Sequence, residues 1–158
     1  MTDIQTPNKW YKPTISMIKL PHYPTTNHLE KATFGSTGYD IQSANQLPII
    51  IQPTERALIQ TGFKLSFTHG IDVQIRSRSG LCVKYGVAVA NSPGTIDSDY
   101  QDEVYVCLVN FGKEAFRVTR GMKIAQLVIA KSELVYVNFN SNITNTKERV
   151  GGFGSTGE

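Results

Sequence analysis

The chain has 158 residues, of which 40% are hydrophobic and 18% charged, with a formal net charge of +3. This length and composition predict one soluble domain with a sizeable core. The 16 basic residues form no dense block, which argues against a general nucleic-acid surface. No run approaches the roughly 18 apolar residues of a membrane span, and no signal-like segment opens the chain, so we expect a cytoplasmic protein. Cys82 and Cys107 form no CxxC pair and are expected to be reduced packing residues.

Short runs rich in Val, Ile, Thr and Tyr recur between Gly, Pro and Asn residues, a pattern typical of β-strands. The runs are TISMIKL, LPIIIQP, RALIQTGFKLSF, IDVQIRSR, YGVAVAN, EVYVCLVNFG, AFRVTRG, KIAQLVIA and LVYVNFN. About nine or ten strands at this spacing predict a sandwich or a jelly-roll-like barrel. The alternation in IDVQIR predicts that Ile71, Val73 and Ile75 point inward. EVYVCLV is apolar on both faces and should be covered on both sides, by the fold or by another subunit.

The segment SRSGLCVKYG favours one short helix. A serine precedes a stretch that can turn, and Gly86 stands where a left-handed helix end is expected. The free N–H groups of Ser79 and Gly80, beside Arg78, would then attract an anion, phosphate above all. The alternative is that Ser79 only caps the helix and that the arginines only form a solvated strand edge.

The segment ANSPGTIDSDYQDEVYV predicts a hairpin with a widened tip between two apolar strands. Unpaired backbone groups at such a tip would suit the edge of a flat heterocycle. Asp97 and Asp99 are two residues apart, so in extended chain their carboxylates point the same way, and one of them is a candidate general base. The alternative is that both cap a turn, which is the common role of Asp in loops.

Five segments taken together resemble, in order and spacing, the five motifs of the homotrimeric dUTP diphosphatase (dUTPase) family. They are TGYDIQSA from Thr37, RSRSGL from Arg76, NSPGTIDSDYQ from Asn91, GMKIAQL from Gly121 and RVGGFGSTG from Arg149. The resemblance implies an all-β, jelly-roll-like (β-clip) barrel with one short helix after the Arg-Ser-Gly motif. Residues 1–148 would form a single domain, with 1–12 loosely ordered, and residues 149–158 would form a mobile C-terminal arm.

The resemblance also implies a reaction. The family hydrolyses dUTP to dUMP and pyrophosphate by in-line attack of water on the α-phosphorus, with Mg²⁺ held by the triphosphate, which limits uracil in DNA and supplies dUMP for thymidylate synthesis. Such a reaction needs an activated water and neutralised phosphate charge. By its place in GTIDSDY, Asp97 matches the carboxylate that activates the water. Tyr100 matches the ring beneath the deoxyribose that leaves no room for a 2'-hydroxyl.

Other positions match the family's substrate-binding residues. Arg78, Ser79 and Gly80 match the phosphate-binding turn. Ser79 is also suited to a catalytic contact with the oxygen that bridges the α- and β-phosphates, which gains charge as pyrophosphate leaves. Asn91 matches the residue that reads uracil. The remaining matched contacts come from the hairpin backbone, the returning strand and the phosphate side, and involve Thr95, Ile96, Asp97, Tyr105 and Gln126.

Two of the matched residues have a purely structural alternative. Asp40 matches the family carboxylate that approaches Mg²⁺ through bound water, and the alternative is a cap that holds the turn after Gly38. Gln126 is expected on one strand face with Ile124 and Val128, either near the substrate or as a buried amide satisfied by neighbouring backbone.

The C-terminal arm would complete the implied site. In the family the arm crosses to another subunit, so Phe153 would stack on the uracil while Arg149, Ser155 and Thr156 hold the γ-phosphate end. Glycines such as Gly154 let backbone N–H groups approach phosphate oxygens. Each of the three sites in the homotrimer would take the phosphate turns from one chain, the hairpin from a second and the arm from a third. The arm would act as a lid that expels water.

Three features depart from the family's usual pattern, and two other functions stay open. Asp102 stands where Gly is usual, Ser77 replaces a common Pro, and the spacing from Arg149 to Gly151 is one residue short. A neighbouring enzyme class on the same fold deaminates dCTP, with a glutamate base and a different hairpin sequence. The chain would otherwise be a binding or regulatory module that keeps the fold without turnover.

Overall fold

The described part of the chain consists mainly of short strands that follow one another, as the β pattern predicts. The structure is a computed structural model that describes residues 14–24, 29–133 and 135–139. Within these ranges it contains eleven strands and one helix. They are β1 (Ile15–Lys19), β2 (Tyr39–Gln42), β3 (Ile49–Ile51), β4 (Arg56–Gln60), β5 (Phe63–Phe67), β6 (Ile71–Arg76), α1 (Ser79–Tyr85), β7 (Val87–Val89), β8 (Gly94–Ile96), β9 (Tyr105–Asn110), β10 (Phe116–Val118) and β11 (Lys123–Lys131).

The strands form four antiparallel sheets. The largest has the order β2-β11-β6-β8, a second has the order β4-β9-β7, and β1-β5 and β3-β10 form pairs. Neighbours in the sheets are mostly distant in sequence, which is typical of a jelly roll. The all-β, jelly-roll-like fold class is therefore confirmed, including its one short helix.

The predicted runs agree with the strands except in three places. β2 and β8 were not among the runs, because both are short and lie in segments that read as turns. The run LVYVNFN was expected to be a strand, and this prediction is wrong for residues 135–139, which form no strand. Val135 and Phe139 in this stretch are 76% and 98% exposed. A β-prone run forms a strand only where a partner strand accepts its backbone hydrogen bonds.

The core lies between the inner faces of the sheets. Its largest fully buried side chains are Phe63, Ile41, Ile51, Ile59, Leu108, Ile124, Leu127, Val73, Val87, Val104, Val106 and Val118. On β6 the expected alternation is present, because Val73 and Ile75 are buried, Ile71 is half-buried and Arg76 is exposed. β6 therefore presents one face to the core and the other to its surroundings.

β9 is covered fully on one side only. Val106 and Leu108 are completely buried, whereas Tyr105 remains 41% exposed. On the same outer face Cys107 is paired with Leu58 of β4, which is 63% exposed. Both faces of β9 were expected to be covered, by the fold or by another subunit. Within this chain only the inner face is fully covered.

The helix α1 ends where the sequence predicts. Gly86 has φ 69° and ψ 18°, and its N–H donates to the carbonyl of Cys82 at 3.0 Å. A side chain at position 86 would also approach the backbone nitrogen of Gly112 to 2.6 Å, so both conformation and space require glycine. Cys82 and Cys107 form no disulfide. No helix in the described ranges is long and apolar enough to cross a membrane.

Candidate active site

Asp40 lies at the centre of a cluster of charged side chains between β2, β11 and the start of α1. Its Oδ1 accepts a hydrogen bond from Arg78 Nε at 3.1 Å, and its Oδ2 lies 2.8 Å from Lys123 Nζ. Arg78 also donates from its terminal nitrogen to the carbonyl of Lys123 at 3.0 Å. Asp40 is only 7% exposed and stands within β2, so it does not cap the turn after Gly38. We call Asp40, Arg78 and Lys123 the ion-pair cluster.

The ion-pair cluster keeps Asp40 ionised. Burial raises the pKa of this carboxyl, but the hydrogen bond from Lys123, the charges of Arg78 and Lys123, and a smaller contribution from the Gln126 side chain outweigh it. The net effect is a pKa below the ordinary value. Because the carboxylate stays charged, it attracts both Arg78 and Lys123. This attraction offsets the repulsion between their two positive charges.

Gln126 lies beside this cluster. It pairs with Asp40 across the β2–β11 ladder and is half-buried. A Cβ at Gly38 would meet Gln126 Cβ and Cδ at 3.2 Å, so glycine leaves the room that this amide occupies. The structure therefore places Gln126 with the predicted phosphate-binding residues, next to a carboxylate.

The turn before α1 exposes backbone donors. Arg78, not Ser79, is the N-cap residue, and it makes no side-chain cap, so the capping alternative for Ser79 is wrong. Leu81 donates its backbone N–H to the Arg78 carbonyl, whereas Ser79 and Gly80 are exposed and donate to no backbone carbonyl of the described residues. A Cβ at Gly80 would meet nothing within 4 Å, so the fold itself does not require glycine there. Exposed N–H groups beside a cation suit an anionic ligand.

Ser77 has a structural role in the same turn. Its Oγ accepts a hydrogen bond from the backbone N–H of Val89 at 2.9 Å. This contact ties the end of β6 to β7. The departure from the family's proline at this position therefore adds a hydrogen bond beside the turn and removes no functional group.

The hairpin is wider than a simple turn. β7 pairs with β9, as predicted, but residues 90–104 between them form a long excursion in which β8 pairs with β6 of the other sheet. The side chain of Asn91 lies over Gly94, where an added Cβ would come within 3.2 Å of its amide nitrogen. Glycine at 94 thus lets the amide of Asn91 lie close against β8.

Asp97 follows β8 directly and is exposed. The chain turns at Ser98 and Asp99, and the N–H of Tyr100 closes the turn on the Asp97 carbonyl at 3.1 Å. The assumption of extended chain between the two carboxylates is therefore wrong. Within the described part of the chain neither carboxylate accepts a hydrogen bond, so neither acts as a side-chain cap.

Asp97 borders a polar cleft of about 240 Å³ between β6 and β8. The cleft is also lined by Thr95 and Ile96, two of the predicted hairpin contacts. Thr95 is exposed and Ile96 half-buried, so the backbone of this strand is accessible from one side. A carboxylate at the edge of a polar cleft is accessible to water, as a general base for hydrolysis must be.

Tyr100 is fixed by its hydroxyl. The hydroxyl donates to the carbonyl of Glu103 at 2.8 Å, and 38% of the residue is exposed. Burial, then the negative charge of Asp102 and smaller contributions from Tyr105 and Glu103, raise its pKa. Tyr100 therefore stays a neutral donor, and Asp102, the departure from the family's glycine, lies close enough to act on it.

The phosphate-side residues and Asp97 lie at different levels of the largest sheet. β6 pairs with β11 at Arg76 and Gln126, next to the ion-pair cluster, and with β8 at Val73 and Ile96. At about 3.3 Å per residue, these two levels are separated by roughly 10 Å along β6. Asp97 lies one residue further away. The register of the sheet in one chain therefore keeps the two groups apart.

Five predicted site residues are not described by the structure, and one residue of the observed cluster was not predicted. The predicted arm residues Arg149, Phe153, Gly154, Ser155 and Thr156 lie outside the described residues. Lys123 was not predicted, although it stands three residues before Gln126 in the quoted motif and a basic residue there was a usable signal. Its contact with Asp40 depends on pairing between strands that are distant in sequence.

The described residues do not form a protein-held metal site. They contain no group of three or more His, Cys, Asp and Glu side chains close enough to hold an ion. Both oxygens of Asp40 already face cations, so this carboxylate is a poor direct ligand. A water-mediated contact between Asp40 and Mg²⁺ stays a prediction.

Fold and geometry together define a class of protein, a jelly-roll-like β domain with two cations at one corner and a carboxylate-bearing hairpin. The sequence matches the dUTPase family over residues 25–157, and the chain belongs to this family. A deoxyuridine 5'-triphosphate nucleotidohydrolase of Chlamydia muridarum is 51% identical over 130 residues, which is 82% of this chain and 90% of that relative.

Solved structures share the fold. The dUTPase of Staphylococcus bacteriophage 80alpha, solved with dUpNHpp, has a TM-score of 0.79 and 24% identity, over 91% of this chain and 98% of that one. A mutant dUTPase from phage phi11 of S. aureus, which coordinates a structural Mg(II) ion, has a TM-score of 0.71 and 22% identity, over 82% of this chain and 97% of that one. At these identities the likeness concerns the fold alone.

Proposed function

We propose that this protein hydrolyses dUTP to dUMP and pyrophosphate by attack of water on the α-phosphorus. The observation that carries the proposal is the dUTPase family match over residues 25–157, which spans all five motifs. The nucleotidohydrolase relative at 51% identity supports the same substrate. The product dUMP would feed thymidylate synthesis, and removal of dUTP would limit uracil in DNA. A cytoplasmic location fits this role.

The triphosphate would bind at the corner between β2, β11 and α1. Arg78 and the N–H groups of Ser79 and Gly80 supply positive charge and donors, and the Gln126 amide lies beside them. The Ser79 hydroxyl would donate to the oxygen between the α- and β-phosphates. Because this oxygen gains charge as pyrophosphate leaves, the contact stabilises the transition state more than the bound substrate.

The nucleoside would bind along the hairpin. Asn91 and the backbone from Thr95 to Asp97 would read the uracil edge, with a further backbone contact from Tyr105. Tyr100 would pack beneath the deoxyribose. The free carboxylate of Asp97 at the cleft would take a proton from the attacking water, and no covalent intermediate forms.

Mg²⁺ would arrive as part of the substrate, Mg·dUTP. This assignment agrees with the lack of a three-ligand cluster among the described residues. The two cations held by Asp40 would face the charge that remains on the phosphates. No metal ligand from this chain is needed for the steps assigned to Asp97 and Ser79.

The complete site would be shared between subunits of a homotrimer. The offset between the phosphate corner and Asp97, more than roughly 10 Å along the sheet, supports this arrangement, because one chain does not bring them together. The exposed outer face of β9 offers surface for a neighbour. The arm, residues 149–158, would then close over a site of another subunit, with Phe153 on the base and Arg149, Ser155 and Thr156 on the phosphates.

Subunit sharing is tested by complementation. Arg78→Ala and Asp97→Asn homotrimers should each be nearly inactive, but mixed trimers formed by subunit exchange should regain activity because some sites combine an intact Arg78 with an intact Asp97. Each variant mixed with itself is the control. A monomer in light scattering, or mixed trimers without recovery, would contradict the shared site.

The substrate is tested by a nucleotide profile. Pyrophosphate release is measured with dUTP, dCTP, dTTP and UTP at near-physiological Mg²⁺, and ammonia is measured in the same reactions. We expect rapid pyrophosphate release from dUTP alone. Ammonia from dCTP would indicate a deaminase instead, and the absence of turnover with all four would indicate a binding module.

A further inference from the structure

Glu103 is a buried carboxylate to which the proposed reaction assigns no role. It is only 8% exposed, and its Oε1 accepts backbone N–H groups from Thr61 at 3.1 Å and Gly62 at 2.8 Å. The same oxygen lies 2.9 Å from His22 Nε2, which donates as the N–H tautomer. Burial of a charge is costly unless several donors satisfy it, and here three donors converge on one atom.

The two backbone donors, Thr61 and Gly62, fix Glu103 to the turn between β4 and β5. The following residue strengthens the attachment, because Val104 donates its N–H to the carbonyl of Phe63 at 2.9 Å. The hydroxyl of Thr61 donates to the Val104 carbonyl at 2.5 Å. Residues 103 and 104 are thus held from both the side chain and the backbone.

The backbone of Glu103 leads directly to the nucleoside side of the proposed site. Its carbonyl is the acceptor for the Tyr100 hydroxyl at 2.8 Å. Tyr100 and Glu103 are three residues apart, so their hydrogen bond holds residues 100–103 together directly after the turn at Ser98 and Asp99. A shift of the 103 carbonyl would therefore release the Tyr100 ring.

We infer that Glu103 is a positioning residue for Tyr100, and that through it the β4–β5 turn sets selection against a ribose 2'-hydroxyl. The inference rests on the proposed dUTPase function. A ring held by a fixed acceptor excludes an added hydroxyl by sterics, whereas a ring that moves makes room for it. Loss of the anchor should therefore affect discrimination between dUTP and UTP more than turnover of dUTP.

Kinetics of Glu103 variants test the inference. Glu103→Ala should lower the ratio of kcat/KM for dUTP to that for UTP by about tenfold. Glu103→Gln should keep most of the ratio, because the amide oxygen still accepts the two backbone N–H groups. Glu114→Gln is the matched control, since Glu114 is exposed and its side chain has no hydrogen bond within the described residues.

A double-mutant cycle separates positioning from general destabilisation. Tyr100→Phe removes only the hydroxyl that donates to the Glu103 carbonyl. This variant should lower the ratio of kcat/KM for dUTP to that for UTP without a change in melting temperature. Glu103→Ala combined with Tyr100→Phe should lower it no further than the larger single effect. The inference would be overturned if the effects of the two substitutions multiply in the double variant. It would also be overturned if the ratio is unchanged in Tyr100→Phe or in folded Glu103→Ala. If the wild type itself fails to hydrolyse dUTP, the proposed function fails instead.

Discussion

The Nε atom of Arg78 lies 3.1 Å from Oδ1 of Asp40, a contact that joins β2 to the turn before α1. It orients the arginine of the predicted phosphate-binding turn. The second oxygen of Asp40 holds Lys123, so one buried carboxylate positions two cations. Asp40 thus has a structural role that does not depend on Mg²⁺, because it positions Arg78 and Lys123.

Asp40→Asn should weaken substrate binding. The amide is neutral, so Arg78 and Lys123 lose the charge that holds them in place, and we expect KM for dUTP to rise about tenfold with a smaller change in kcat. Steady-state kinetics measure both. Glu133→Gln, which breaks the exposed 3.1 Å pair with Lys131, is the control and should change neither constant. An unaltered KM in Asp40→Asn would contradict the positioning role.

The same substitution should change acid stability. The pKa of Asp40 lies below its ordinary 3.8, so the ionised form stabilises the fold at pH values above that, and this contribution is lost as the pH falls through the lowered pKa. The melting temperature of Asp40→Asn should therefore lie below that of the wild type at neutral pH, and the gap should narrow below about pH 4. If the difference in melting temperature between the wild type and Asp40→Asn widens on acidification, the stabilising role of ionised Asp40 is contradicted.

Asp97→Asn tests the general base. Because the amide cannot take a proton from water, turnover should fall about 10²-fold or more while dUTP binding is largely retained. Turnover is measured as pyrophosphate release and binding by calorimetry. Asp99→Asn, two residues further along and also exposed, should keep most of the turnover. Equal losses in both variants would show that the assignment to Asp97 is wrong.

Removal of residues 149–158 tests the lid. The truncated chain should fold with the melting temperature and oligomeric state of the full chain but should be nearly inactive, because the proposed cover over base and phosphates is gone. Phe153→Ala should lose part of the activity, since it removes only the ring. Full activity in the truncated chain would show that the arm is not part of the site.

Local signals in the sequence predicted much of the fold. Gly86 indicated the end of α1 because a left-handed residue there is almost obligatory glycine. The alternation of Val73 and Ile75 indicated the inner face of β6. β8 was missed because its three residues, beginning with Gly94, look like part of a loop. It becomes a strand only because β6 is available as a partner.

The site was predicted from its motifs, but its connections were not. Asp97, Tyr100 and Arg78 were named from their places in short motifs. The contacts that orient two of these residues depend on distant parts of the chain. Arg78 donates to Asp40 of β2. The hydroxyl of Tyr100 donates to Glu103, whose side chain is held by the β4–β5 turn. Such pairs depend on sheet register, which one sequence does not reveal.

Hydrolysis of dUTP in ¹⁸O-labelled water tests the central claim most directly. Water activated beside Asp97 and attacking the α-phosphorus places the label in dUMP and leaves pyrophosphate unlabelled. Mass spectrometry of the two products measures this. Label in pyrophosphate, or products other than dUMP and pyrophosphate, would contradict the account.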